Sequence, residues 1–136
     1  MSGPVDFTAL VVAHLKADEN IDAYIGGNRL PERTDLPAVR VTTVISVPAA
    51  APTPEWWDGT MQIDCYSVRD TDSFELAAAV QTSLQELVDP DGGVVVADVT
   101  QGDIRFVDDA DFVPVASRHI VTVDITARTT TQPNNP

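Results

Sequence analysis

Two histidines, one cysteine and an excess of carboxylates are the residues with reactive potential in this sequence of 136 residues. Nucleophilic catalysis needs a nucleophile, a base beside it and a group that orients the base. His14 falls on the apolar stripe of a helix-patterned segment, and His119 shares parity with the apolar face of a strand-patterned one. Both therefore read as partly buried structural residues. Cys65 alternates inward like a small hydrophobe, and no GxSxG elbow is present. The pattern disfavours a Cys–His or Ser–His enzyme, and no catalytic residue is expected.

The acids give no metal signature. Asp89-Pro90-Asp91-Gly92-Gly93 resembles part of a calcium loop but lacks the later ligands and the closing glutamate. It reads as a turn after a helix. Asp108, Asp109 and Asp111 read as a solvated acidic loop, with weak Ca²⁺ binding as the alternative. Gly26-Gly27 has no downstream Lys-Ser or Lys-Thr, so it is no phosphate loop. A lone cysteine allows no disulfide framework or zinc finger within the chain. No metal or cofactor is expected.

Trp56 and Trp57 are the only tryptophans, side by side in the Pro-rich stretch PAAAPTPEWWDG (48 to 59). Adjacent residues of an extended segment point opposite ways, so one ring can face the core and the other outward. Either both pack on the domain's own sheet, or at least one anchors a partner, a role in which Trp is enriched. Pro54, Glu55 and Asp58 flank them in the same candidate interface.

Charge narrows the function classes. Eight bases oppose twenty-one acids, a net charge of −13. Nucleic-acid binding depends on Lys and Arg neutralising phosphates. One lysine and seven scattered arginines exclude a nucleic-acid grip, and an anionic membrane surface is disfavoured for the same reason. Residues 55 to 111 hold fourteen acids and two bases, so nearly the whole imbalance sits in the middle of the chain. The opening MSGPVDFTAL has no basic region followed by an apolar core, and no apolar run nears the ~20 residues of a membrane helix. A reducing cytoplasm is the expected site of synthesis.

These residues must be positioned by a single domain over 1 to 128, with a polar, frayed tail over 129 to 136. A chain this long buries roughly two thirds of its unfolded surface and needs no staple. Phe7, Leu10, Val11, His14 and Leu15 predict a helix over 6 to 17, capped by Asp6. Ile21, Tyr24 and Ile25 can add a further turn before Gly26-Gly27-Asn28 ends it. Strands are predicted over 39 to 47 and 61 to 68, joined as a hairpin with a long tip. In the first, Val39, Val41, Ile45 and Val47 share a face, and Val44 breaks the alternation. A second helix spans 72 to 88, with Asp72 and Glu75 at capping-box spacing and Leu76, Ala77, Val80, Leu84 and Leu87 as its stripe. Strands at 94 to 99, 104 to 107 and 118 to 128 complete the order α-β-β-α-β-β-β. The fold class is α+β: an antiparallel or mixed sheet of four to five strands with two helices packed on one face.

That layout resembles the tail terminator (tail-completion) proteins of long-tailed bacteriophages, particularly those of actinobacterial hosts. The resemblance rests on IDAYIGGNRLPERTDLPAVRVTTV, EWWDGTMQIDCYSVRDTDSFELAAAVQTSLQEL and SRHIVTVDITAR, in that order after an amphipathic helix, across about residues 5 to 128. It implies a non-enzymatic assembly protein: a homo-oligomeric ring, typically a hexamer, on the last ring of tail-tube protein. Such a ring stops tube growth and docks the head–tail connector or stopper protein, while DNA passes through without sequence-specific binding. The implied location is the head-proximal end of the virion tail, after assembly in the host cytoplasm. Lateral contacts would run through sheet edges or helices, with Arg29, Arg33 and Arg40 pairing with acids of the adjacent subunit. Other head–tail joining proteins share this outline. An acidic bacterial protein- or ligand-binding regulator is the alternative from a different class.

Overall fold

The computed structural model describes residues 3–27, 35–49, 55–107 and 116–130. Helix α1 (Phe7–Ala17) starts where Asp6 stops being extended, and the Asp6 carboxylate accepts the Ala9 N–H at 3.0 Å. That satisfies one of the orphan donors of the first turn. Phe7, Leu10, Val11, His14 and Leu15 are all buried, as the spacing predicts.

The next segment departs from expectation. Tyr24–Gly26 is a short strand, β1, parallel to the start of β2 (Ala38–Pro48), and not a further helical turn. Ile25 turns into the core while Tyr24 stays exposed. Apolar residues at 21, 24 and 25 fit a helical period, and over five residues a strand gives the same pattern.

β2 pairs antiparallel with β3 (Trp57–Ser67), β3 with β6 (Ser117–Thr129), and β6 with β4 (Val94–Gln101). The short β5 (Arg105–Val107) continues the edge along β6. The sheet has six strands in the order β1-β2-β3-β6-β4, with β5 on β6, one more than the predicted elements supply. Ladder pairing slips between Thr43 and Ile45. Val44 is the extra residue, and such a bulge reverses the alternation beyond it. Ile45 and Val47 are consequently exposed on the face away from Val39 and Val41, contrary to their expected common face. The strands also extend further than predicted, so that Trp57, Asp58 and Gly59 belong to β3 and not to a loop.

Helix α2 is Asp70–Leu84. Its N-cap is Arg69, whose side chain makes no capping bond, so the expected capping box at Asp72 and Glu75 does not form. Asp72 lies inside the first turn and pairs with Arg69 at 3.2 Å. The stripe itself is as expected: Leu76, Ala77, Val80, Leu84 and Leu87 are buried. Both helices cover one sheet face, packing on Met61, Ile63, Cys65, Val121, Val123, Ile125 and Ala127. No helix is long and apolar enough to cross a membrane among the described residues. β6 runs through Thr129, and Thr130 bonds back to Gly92 and Gly93, so the tail leaves the sheet later than residue 129.

One contact sets how closely α1 can approach the sheet. A Cβ added to Gly59 would lie 2.5 Å from the Phe7 ring, which is itself 1% exposed. Gly59 is thus a close-approach glycine against a buried ring. Gly59→Ala should lower stability by about 1–3 kcal/mol, the usual cost of overpacking. Urea denaturation checks it; an unchanged midpoint would show that the helix moves without cost.

Candidate functional site

The aromatic corner is built where the β2–β3 hairpin meets β6. Trp57 pairs with Pro48 on one side and Ala127 on the other, and the Ala49 N–H donates to the Trp56 carbonyl at 2.9 Å. Alternation then separates the two rings. Trp57 packs against the apolar core, its indole N–H buried without a hydrogen-bond partner among the described residues. Trp56 points the other way and carries the Arg128 guanidinium 5.2 Å from its ring centroid. Arg128 also reaches Glu55 at 3.6 Å. Cation–π stacking and an ion pair therefore hold one arginine between an aromatic and an acid. Both groups are partly exposed, so the pair contributes little stability and mainly orients the Trp56 ring.

Of the sequence-predicted site residues, Glu55, Trp56, Trp57 and Asp58 come together here. Pro54, Arg29 and Arg33 lie outside the described residues, as do Asp108, Asp109 and Asp111. Arg40 stands at the far end of the sheet, six ladder positions from Asp58 by way of Asp64, or roughly 20 Å at ~3.3 Å per residue. There it faces Asp64 across the ladder and sits beside the Tyr66 hydroxyl. Arg128 escaped the sequence reading because its partners are some seventy positions away; its only signal was its place on the polar face of the last strand.

The sheet face opposite the helices is acidic and ordered. The Thr126 hydroxyl donates to Asp58 at 2.6 Å, and the Thr60 hydroxyl to Asp124 at 2.7 Å. Across β3, β6 and β4 the rows read Asp58–Thr126–Asp98 and Thr60–Asp124–Thr100. Threonine alternates with aspartate, so no two carboxylates oppose each other directly. Further along, Asp64 is 1% exposed and is held by Arg118 through Nη2 and Nε, each at 3.0 Å. The Gln62 amide adds a bond at 3.1 Å. Burial, then the Asp64 charge, raises the Tyr66 hydroxyl above the ordinary tyrosine range.

The helical face holds two histidine clusters, each with a serine hydroxyl against the imidazole. His14 lines an open groove of about 640 Å³ between α1 and α2, with Asp18 and Ser83. Its Nε2 lies 2.9 Å from the Ser83 carbonyl, and its Nδ1 lies 3.2 Å from the Val88 N–H. With the proton on Nε2, one ring satisfies a late carbonyl of α2 and the following chain. The Ser83 hydroxyl bonds Asp18, and that bond is the main reason the Asp18 carboxyl lies below its ordinary value. In a catalytic triad the acid orients the histidine; here Asp18 bonds the Ser83 hydroxyl, which also lies 3.0 Å from His14 Nε2, and the Val88 backbone holds Nδ1.

His119 bonds Ser73 through Nδ1 at 2.7 Å, between the Phe74 and Phe106 rings. Cys65 is fully buried, and burial pushes its thiol far up, the reverse of an activated cysteine. Asp89 accepts the N–H groups of Asp91 and Gly93 at 2.9 and 2.8 Å, so its carboxylate builds the predicted turn. No group of three or more metal-ligating side chains forms among the described residues.

The described residues form a small sheet with an acidic face and an aromatic corner. Residues 9–131 match the family described as tail completion protein gp17. The chain belongs to that family. A search of curated proteins finds no match. One solved structure is 17% identical over 94% of this chain and 93% of its own, with a TM-score of 0.48. The tail completion protein is accordingly a structural component of a bacteriophage tail that meets other proteins of the virion.

His119 gives the tail completion protein a defined response to acid. Burial lowers its pKa below 6.5, partly opposed by the charge of Asp70. The unfolded chain then binds the proton first, at about pH 6.5. Stability from this group is complete above that pH and falls as pH drops toward the folded value. His119→Gln should flatten the decline between pH 7 and 5.5. Equal slopes in thermal melts of both proteins would contradict this assignment.

Proposed function

We propose that this tail completion protein is a tail terminator. Copies form a ring, six in the expected case, on the end of the tail tube. The ring stops tube growth and gives the head connector its docking surface, with DNA passing through an acidic channel. The match to the tail completion family over residues 9–131 carries this reading. The threonine–aspartate face supports it, because a negative wall repels phosphate and lets DNA slide. Heterologous contacts that close produce such a ring, and the same contacts left open produce filaments. A head–tail joining protein at another station would share the fold and the acidity, and differs in what its loss does to the tube.

Tails assembled without the protein should therefore show tubes of irregular, excessive length in electron micrographs. Tubes of wild-type length would reject the terminator role and leave the joining role.

Within this reading the outward ring of Trp56 is the anchor for the tube or the connector, flanked by Glu55, Asp58 and Pro54. Arg29 and Arg33 remain the proposed partners for acids of a neighbouring copy. Trp56→Ala should keep the folded stability within about 0.5 kcal/mol and abolish stable attachment to tails. Trp57→Ala should cost on the order of 2 kcal/mol, because that ring packs on the core. Pull-down of each folded variant with purified tails checks both; normal attachment of Trp56→Ala would remove the anchor.

A further inference from the structure

The sheet ends in two strand edges that the described residues leave bare, and the two differ. β1 pairs with β2 only at Ala38, Val39 and Arg40. From Val41 to Pro48 the outer edge of β2 meets no other described strand. The outer edge of β4 meets none either among the described residues. Unpaired N–H and C=O groups along an edge are a template for another strand, and proteins usually blunt them with charge, proline or a bulge. Residues Val41 to Val47 (VTTVISV) contain no charge and no proline. Their one blunting device is the bulge at Val44. Val44, Ile45 and Val47 are 55, 53 and 45% exposed. One exposed aliphatic needs no explanation, but three along an open edge mark a contact surface.

β4 has the opposite character. Asp98 is exposed on it, Asp89 and Asp91 precede it, and Asp103 follows. No base occurs between Arg69 and Arg105. Two β4 edges brought together would set acid against acid. The bare stretch of β2 carries no acid, so it meets an acidic β4 edge without the repulsion that two β4 edges would bring. Direction agrees. Successive antiparallel pairings leave β2 and β4 running opposite ways, so a rotated copy that sets its β2 beside this β4 continues the alternation.

We infer that β2 of one copy adds antiparallel to β4 of the next, covering Val44, Ile45 and Val47 in the seam. Each copy offers one edge and receives the other, which is the heterologous contact a ring requires. The inference rests on the ring reading above and names the surfaces that build it.

Cysteine cross-linking in assembled tails tests the seam, since buried Cys65 stays silent. Ser46→Cys on β2 and Val95→Cys on β4 are introduced singly and together, and a short bismaleimide is applied to purified tails. The double variant should give a ladder of dimers and higher species, with each single variant remaining monomeric. Dimers from Ser46→Cys alone would indicate a twofold β2–β2 contact and overturn the seam. A cross-link to another tail protein, or none in tails that hold the ring, would overturn it too. Counting copies at the tail end by electron microscopy separates the two readings. Several copies without the cross-link remove the seam alone, whereas a single copy removes the ring. As a second variant, Val44→Lys alters an exposed residue and should leave the circular dichroism spectrum unchanged. Its incorporation into tails should fall about tenfold or more, the effect of burying one unpaired charge. Normal incorporation would count against the seam.

Discussion

One apolar layer, pressed between two helices and a single face of the sheet, is the constraint on which the molecule depends. Phe7, Leu15, Val80 and Leu84 from the helices meet Met61, Ile63, Val121 and Ile125 from the central strands, all at 1% exposure or less. Burial of this kind is the dominant favourable term in folding. The helices cover one face only, and among the described residues the tryptophan end of the other face and both edges are left to polar or intermolecular use. Gly59 shows how tight the layer is, because α1 seats directly against a strand that has no side chain at that point.

The open face is where the unusual charge is managed. A net charge of −13 works against compaction. Around Asp58 and Asp124 the strain is relieved locally, by threonine hydroxyls that donate to each carboxylate and keep acids apart across the ladder. Asp64 is handled differently: it is buried and paired with Arg118, with Tyr66 packed alongside. A buried pair of this kind is weak support for stability but costly to break, because the remaining charge is left uncompensated. It fixes β6 against β3 at the end far from the tryptophans, where Ile120, Tyr66 and Ala116 also bury the outer face. That explains why Ile120 departs from the polar pattern of its neighbours in the sequence.

Periodicity made the core legible. The stripes of both helices, the inward residues of β3 from Met61 onward and those of β6 were readable, because each segment is long enough for its period to be unambiguous. What was hidden depended on contacts between distant segments. β1 exists only because β2 offers it an edge. The Val44 irregularity was visible as a broken alternation, but only pairing with β3 shows that it is a bulge and that Ile45 and Val47 end up outside. The opposed directions of Trp56 and Trp57 followed from alternation alone, whereas the Arg128 that holds Trp56 could not be read from either residue's neighbourhood. Arg40, singled out for a neighbouring subunit, faces an acid of its own chain across the ladder. Like charge complementarity inside one molecule and between two, this was a distinction composition could not make.

The histidines show how residue type and wiring differ as guides to function. His14, Ser83 and Asp18 lie together in a groove, and by type alone they are the members of a catalytic triad. Their bonds run the wrong way for one. Nε2 of His14 lies 3.0 Å from the Ser83 hydroxyl and 2.9 Å from the Ser83 carbonyl, but Nδ1 lies against the backbone of Val88 and Asp18 bonds the serine, so no acid orients the imidazole. The same bonds do have a structural effect. A helix end leaves carbonyls outside its regular ladder, and at the end of α2 those of Thr82, Ser83 and Leu84 accept the N–H groups of Gln85, Glu86 and Leu87 in tighter turns. A histidine from α1 adds a side-chain donor to the Ser83 carbonyl, which also accepts the Glu86 N–H at 3.1 Å, and at the same time ties the two helices together. That tie keeps α1 over β2 and β3, so the group most suggestive of catalysis by residue type helps to hold the covered face of the sheet in place.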